Sequence, residues 1–154
     1  MPFAYTPARL WRRLIRKASA ANLRRENAAD SVTPAQRLGR EGEEAAYWHL
    51  REAGWTMVAR NWRPEGLRGE IDLIGWEGDT LVFVEVKTRS SSELQAPEAA
   101  VDRDKQRHVK AAARQYIHQA RQEKALNRFD IVSVEIAPGQ SAPPQIKHLR
   151  DAFR

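Results

Sequence analysis

The chain has 154 residues, of which 42% are hydrophobic and 30% are charged, a composition typical of one globular domain and not of a disordered chain. It contains no cysteine, which excludes disulfides, thiolate nucleophiles and cysteine zinc sites. Its net charge of +6 is concentrated in residues 1–30, where seven Arg and Lys residues and two acids give +5, so the basic character belongs to an N-terminal extension and is no argument for nucleic-acid binding by the rest of the chain.

The N-terminal extension, residues 1–32, is predicted to contain a basic amphipathic helix over residues 7–26. Its apolar residues fall on one stripe at helical spacing, and basic residues such as Arg12 and Arg13 fill the remaining surface. Three interpretations stay open. The segment is a solvated basic tail, a surface that binds nucleic-acid phosphates through residues such as Arg12 and Arg13, or a membrane-surface or targeting helix.

The sequence predicts no membrane span. No apolar run approaches the roughly 20 residues that a spanning helix requires. The N-terminal extension also lacks the apolar core of a secretory signal. Together with the absence of cysteine, these features lead us to expect a cytoplasmic protein.

Residues 33–154 are predicted to form a single α/β domain. Thr33, Pro34 and Gln36 have the pattern of a capped helix start, and Gly54 is suited to the helix end. The elements predicted after this helix are a strand, a hairpin, a long helix, a strand and a short edge strand, at residues 55–62, 69–89, 102–124, 128–136 and 145–149. The order α-β-β-β-α-β predicts a sandwich around a central mixed sheet, flanked by helices, in which a helical crossover returns one strand in parallel.

Charged side chains interrupt the predicted hairpin. Glu70 and Asp72 lie in its first strand, and Glu85, Lys87 and Arg89 lie in its second. Because strand side chains alternate between the two faces of a sheet, each strand directs these charges to a single face.

The turn of the hairpin determines which charges are opposed. A two-residue turn at Gly78-Asp79, with glycine supplying the positive φ of a type II′ turn, places Asp72 opposite Glu85 and Glu70 opposite Lys87. A four-residue turn shifts the register, but it still leaves Asp72 and Glu85 as diagonal neighbours on one face.

Two opposed carboxylates repel each other, and a divalent cation is the simplest reason for Asp72 and Glu85 to be paired. Mg²⁺ or Mn²⁺ fits these ligands, with the carbonyl of Val86 as a further oxygen donor. Lys87 beside them is suited to orient a water and to neutralise charge on a phosphate, which favours phosphodiester hydrolysis. The alternative is an exposed hairpin in which Glu70 pairs with Lys87 and the other two acids are solvated.

Six segments of the chain carry a resemblance to a known family: GREGEEAA, RNWR, GEIDLI, FVEVKTR, PEAAVDRDKQRHVKAAARQYI and RFDIVSVE. Together they resemble the YraN family of predicted endonucleases, within the PD-(D/E)xK nuclease superfamily that includes archaeal Holliday-junction resolvases. The resemblance runs from about Gln36 to the C-terminus. One departure is Gln95-Ala96-Pro97, which stands where the family usually has glycine-x-proline.

The resemblance implies a restriction-endonuclease-like core with a Mg²⁺- or Mn²⁺-dependent active site. It implies that Glu43, Asp72 and Glu85 hold the metal and that these acids and Lys87 form the catalytic set. It does not extend to residues 1–30.

The resemblance also implies a nucleic-acid substrate. DNA is the expected partner, with branched or recombination-related DNA as a candidate. Arg89 and Lys105 are expected to contact it, and Lys105 and Tyr116 are expected at the outer wall of the site. A homodimer is the candidate assembly by analogy with structure-selective relatives. The alternative function is a non-catalytic nucleic-acid-binding or partner-recruiting module that retains the nuclease fold.

Overall fold

The computed structural model describes residues 32–90, 103–137 and 142–154. The predicted helix at residues 7–26, with Arg12 and Arg13, lies outside the described residues, and the loop around Pro97 does too. The boundary predicted between residues 32 and 33 stays a prediction. The described elements are α1 (Pro34–Glu52), β1 (Thr56–Trp62), β2 (Ile71–Glu77), β3 (Thr80–Ser90), α2 (Arg103–Ala120), β4 (Leu126–Ile136) and β5 (Gln145–Phe153).

Helix α1 begins and ends as its sequence predicts. The backbone N–H of Gln36 donates to the Thr33 hydroxyl at 3.2 Å, and the Gln36 side chain accepts from the Thr33 backbone at 2.9 Å, which completes a capping box. Gly54 follows the helix with φ +91°, a conformation that favours glycine. Trp48 of this helix is half-exposed, and its indole N–H donates to Glu44 at 2.7 Å.

Helix α2 ends earlier than predicted. It stops at Ala120 and not near Lys124, because Arg121 adopts a left-handed conformation with φ +54° and the N–H of Gln122 bonds back to the carbonyl of Ile117 at 2.9 Å. The buried residues of α2 are Val109, Ala112, Ala113, Tyr116 and Ala120, which form one face of the helix.

The five strands form one mixed sheet in the order β1-β2-β3-β4-β5. Strands β3 and β4 pair in parallel, as the helical crossover predicts, and the other neighbours are antiparallel. Strand β5 is longer than the predicted edge strand at 145–149. Its extension ends at Phe153, which is buried and stacks on Phe129 with ring centroids 5.1 Å apart.

The two helices pack against separate apolar clusters of the sheet. Helix α1 contributes Ala46 and Leu50 to a cluster with Val82, Val84 and other sheet residues. The cluster around Phe83 contains the buried face of α2. A five-stranded mixed sheet flanked by helices is the α/β architecture of a restriction-endonuclease-like sandwich, as predicted. None of the helices in the described part of the chain is long and apolar enough to cross a membrane.

Candidate active site

The hairpin β2–β3 has the two-residue turn that the sequence predicts. Glu77 pairs directly with Thr80. Gly78 has φ +56°, and Asp79 is not among the residues with positive φ, as a type II′ turn requires. The register continues without interruption to Leu73 and Val84, the paired residues next to Asp72 and Glu85.

Asp72 and Glu85 are buried, so the alternative of a solvated hairpin is wrong. Asp72 is 7% exposed and Glu85 is 2% exposed. Oδ2 of Asp72 accepts a hydrogen bond from the backbone N–H of Val86 at 2.7 Å, which ties the end of β2 to β3. Oε2 of Glu85 is buried and accepts no hydrogen bond from any residue that the structure describes.

The pKa of Asp72 reflects this environment. Burial, and then the charge of Glu85, raise the pKa of Asp72 to about 8, and Glu43 acts in the same direction. The hydrogen bond from Val86 and the ammonium of Lys105 oppose this rise without cancelling it. Asp72 is therefore harder to ionise than an ordinary aspartate, even with the ammonium of Lys105 nearby.

Two lysines contact the same oxygen of Glu85. Lys87 Nζ lies 3.2 Å from Oε1, and Lys105 Nζ, from α2, forms an ion pair with the same atom. Burial alone would lower the pKa of Lys105, but the bond to Glu85 raises it above its ordinary value. The family resemblance implied that Lys105 lies at the outer wall and contacts nucleic acid, whereas its side chain reaches Glu85 at the centre of the site.

The predicted ion pair between Glu70 and Lys87 is wrong. Glu70 pairs with Arg63 at 2.7 Å, and Lys87 pairs with Glu85. Strand β2 begins at Ile71, so Glu70 belongs to the connection that also contains Arg63, and it is not held opposite Lys87 by the ladder.

Glu43 extends from α1 toward the same region. Its Oε2 accepts a hydrogen bond at 3.0 Å from Asn61, a residue of β1 that we did not predict as part of the site. The φ of +48° at Asn61 is the unusual feature, and the sequence gives no signal for it beyond the tolerance of asparagine for this conformation. Among the described residues, no three acidic or histidine side chains converge as a ready metal site, so Glu43 as a ligand stays a prediction.

Arg89 and Tyr116, which were predicted around the site, lie in different environments. Arg89 lies on β3, half-buried, on the stretch that follows Lys87. Tyr116, expected at the outer wall, is instead buried in the core, where its ring meets Trp62 and Phe83 edge-on. A pocket of about 360 Å³ lies beside Lys105 and is lined by Gly69, Glu70, Asp104, Lys105, His108 and Val109.

The donor set suits a hard divalent cation. Asp72 and Glu85 supply carboxylate oxygens, which Mg²⁺ and Mn²⁺ prefer, and the carbonyl of Val86 is the further donor that we predict. A buried acceptor without a partner is costly, and Oε2 of Glu85 is such an atom. A cation beside this oxygen would satisfy it and favour the ionised form of Asp72.

Comparisons with known proteins give one consistent family. Residues 42–134 match the family described as "Uncharacterised protein family UPF0102". The chain is 49% identical over 115 residues to a UPF0102 protein of Solibacter usitatus, covering 75% of this chain and 84% of the relative. It is 44% identical to relatives from Koribacter versatilis, covering 76% and 79% of the two chains, and from Rhodococcus opacus, covering 75% and 95%.

Proposed function

The chain belongs to the UPF0102 family, the group that its motifs identify with the YraN predicted endonucleases, and we propose that it is a metal-dependent nuclease that hydrolyses phosphodiester bonds in DNA. The observation that carries the proposal is the buried pair Asp72 and Glu85 with Lys87 in contact with one of the two carboxylates. A pair that only stabilised the fold would not leave one buried acid with a strongly raised pKa and the other with an unpartnered oxygen.

Each residue has a distinct role in this proposal. Asp72 and Glu85 hold Mg²⁺ or Mn²⁺, with Glu43 and the carbonyl of Val86 as the further ligands. The bound cation supplies Lewis-acid chemistry, which activates water and stabilises charge on phosphate oxygens. Lys87 keeps its ammonium beside Glu85, orients the attacking water and stabilises the charge that grows on the phosphate.

Basic residues outside this set bind the substrate. Arg89 and Lys105 contact phosphates close to the scissile bond, and Arg12 and Arg13 contact phosphates farther away. Branched or recombination-related DNA is the candidate substrate, and a homodimer is the candidate assembly for a symmetrical junction.

Cleavage assays test the proposal directly. Wild-type protein is incubated with linear, flapped and four-way DNA in Mg²⁺ or Mn²⁺, beside Asp72→Ala and Lys87→Ala. We expect each variant to lose about a hundredfold or more in rate, because each removes a group that acts on the transition state. Asp79→Asn, which changes an exposed acid in the turn of the same hairpin, is the matched control and should cleave like wild type.

Equal cleavage by the wild type and both variants would contradict the mechanism. Calorimetric titration with Mn²⁺ separates the remaining alternative. Absence of binding at millimolar Mn²⁺, together with unchanged DNA affinity in Asp72→Ala, would favour the non-catalytic module.

A further inference from the structure

The carboxylate pair is already neutralised by residues of the chain itself. Asp72 and Glu85 carry two negative charges when both are ionised. The ammonium groups of Lys87 and Lys105 both contact the same atom, Oε1 of Glu85. With Glu43 counted as a third acid, a divalent cation that entered this arrangement would leave a net charge of +1 in a place where Asp72 and Glu85 are nearly inaccessible to water. This excess is unfavourable in a medium of low dielectric constant, and the departure of one lysine would remove it.

The ammonium of Lys105 can move away from Glu85 more easily than that of Lys87. Lys87 is fixed on β3, two residues from Glu85 on the same strand, so its ammonium stays close to the carboxylate. Lys105 comes from α2, a separate element, and its side chain is 44% exposed. Lys105 also lines the pocket of about 360 Å³, which gives the long side chain room to move.

We propose that Lys105 is an internal counterion that neutralises Glu85 when no metal is bound, and that cation binding releases its ammonium to a phosphate of the nucleic acid. The proposal rests on the proposed metal site and adds its regulation. Binding of the cation and binding of nucleic acid are then cooperative. The cation frees Lys105 from Glu85 to contact a phosphate, and a phosphate that holds Lys105 leaves Glu85 free for the cation. Without a cation, the ion pair also keeps Lys105 from the substrate.

Calorimetric titration with Mn²⁺ measures the competition. Lys105→Gln removes the competing charge, and we expect it to bind Mn²⁺ roughly tenfold more tightly than wild type. Lys105→Arg keeps the charge and should retain an affinity close to that of wild type. Lys124→Gln removes one exposed charge beyond the end of α2, and it should also match wild type. Unchanged or weaker Mn²⁺ binding by Lys105→Gln would overturn the proposal.

Amine labelling tests the release of Lys105 without any variant. The native protein is treated with an acylating reagent, with and without Mn²⁺, and each lysine is quantified by mass spectrometry. We expect Lys105 to react several-fold faster when Mn²⁺ is present, while the rate at Lys124 stays constant. A rate at Lys105 that is unchanged or slower with Mn²⁺ would reject the release.

DNA binding tests the destination of the ammonium. With phosphorothioate DNA that resists cleavage, Mn²⁺ should raise the DNA affinity of wild type several-fold, and Lys105→Gln should lose this gain. An equal gain in both proteins overturns the link to phosphate. If wild type binds no Mn²⁺, or if Asp72→Ala binds it equally well, the proposed metal site itself fails. If Asp72→Ala loses Mn²⁺ binding but Lys105→Gln binds Mn²⁺ with the affinity of wild type, the metal site stands and the counterion role is rejected.

Discussion

Two buried aspartates of this protein have opposite environments. Asp130 is fully buried, yet its pKa is lowered, because burial alone would raise it but hydrogen bonds from His148, Arg128 and the backbone of Asp151 outweigh that effect. The side chains of His148 and Arg128 approach its oxygens to 2.8 and 2.9 Å. Asp72 has one backbone hydrogen bond and a raised pKa. Complete hydrogen bonding is typical of a buried acid with a structural role, whereas an undersatisfied buried acid indicates a candidate binding site.

The raised pKa of Asp72 predicts how stability depends on pH in the absence of metal. Its pKa is about 8 in the folded protein against an ordinary value of 3.8, so between these values the folded state holds a proton that the unfolded chain has released. The stabilisation from this proton is complete below pH 3.8 and is lost as pH rises to about 8. Asp72→Asn, which cannot ionise, should remove this loss and be more stable than wild type at pH 8, by an amount on the order of a few kcal/mol.

Urea unfolding at several pH values between 5 and 8, in EDTA, measures this difference. Saturating Mn²⁺ should flatten the wild-type dependence, because a cation holds the carboxylate in its ionised form. Parallel stability curves for wild type and Asp72→Asn in EDTA would contradict the assignment.

Strand alternation was sufficient to predict the acidic pair and Lys87. These residues lie within one hairpin, where a period of two and a short turn determine which side chains meet. The position of the Lys105 side chain could not be predicted, because it depends on how α2 docks on the sheet, which no local pattern encodes. The Glu70–Lys87 pair was predicted wrongly for a related reason: alternation assumes that the strand continues, and β2 begins one residue after Glu70.

At the scale of elements, one glycine allows α1 to approach the site. A Cβ atom on Gly42 would lie 1.9 Å from Oγ1 and 2.5 Å from Cγ2 of Thr88 on β3, far inside contact distance. The close approach of helix and strand brings the next residue, Glu43, toward Asp72, whose pKa it raises. Gly39, one turn earlier in the same helix, has no such neighbour within 4 Å.

This difference predicts opposite effects for the same substitution. Gly42→Ala should lower the free energy of unfolding by about 1–3 kcal/mol through overpacking. Gly39→Ala should raise it by about 0.5–1 kcal/mol, because alanine is the better helix former. Thr88→Ala in the Gly42→Ala background removes the two nearest atoms but leaves Cβ at 2.7 Å, so it should restore part of the loss. Denaturant unfolding checks all three, and equal effects at the two glycines would contradict the packing.

Helix starts were easier to predict from the sequence than element ends. The cap of α1 involves residues three apart, so its signal is local. The end of α2 depends on a left-handed Arg121, which sequence preference does not favour. The length of β5 depends on the stacking of Phe153 on Phe129 of β4, a contact that exists only once the two strands are paired.

At the scale of the whole molecule, the charge asymmetry predicts a role for the N-terminal extension. Deletion of residues 1–30 removes a net charge of +5. It should weaken DNA binding and reduce its salt dependence by about 0.9 in the log–log slope for each phosphate that the extension neutralises. Arg12→Gln/Arg13→Gln in the full chain should reproduce part of that change, and Lys124→Gln should not. An unchanged slope after the deletion would assign the extension to another role, such as docking on a membrane surface.

The overall architecture was predictable because element types alternate along the chain in an order that few sheets can accommodate. A hairpin followed by a helical crossover requires antiparallel and then parallel pairing, and this combination predicts a mixed sheet covered by helices. Local patterns identified the elements, and the sheet then determined their final lengths.

The separation of the pairing strands along the chain also sets an order of assembly. Strands β2 and β3 are joined by two residues, whereas Thr80 pairs with Leu126 only after a crossover has formed. Because local contacts form faster than distant ones, we expect Asp72 and Glu85 to meet while α2 is still undocked. During that interval Lys87 is the only one of the two lysines close to them, and Asp72 is best accommodated with a proton. The arrival of Lys105 therefore belongs to the late steps of folding, when the crossover docks on an acidic pair that has already formed.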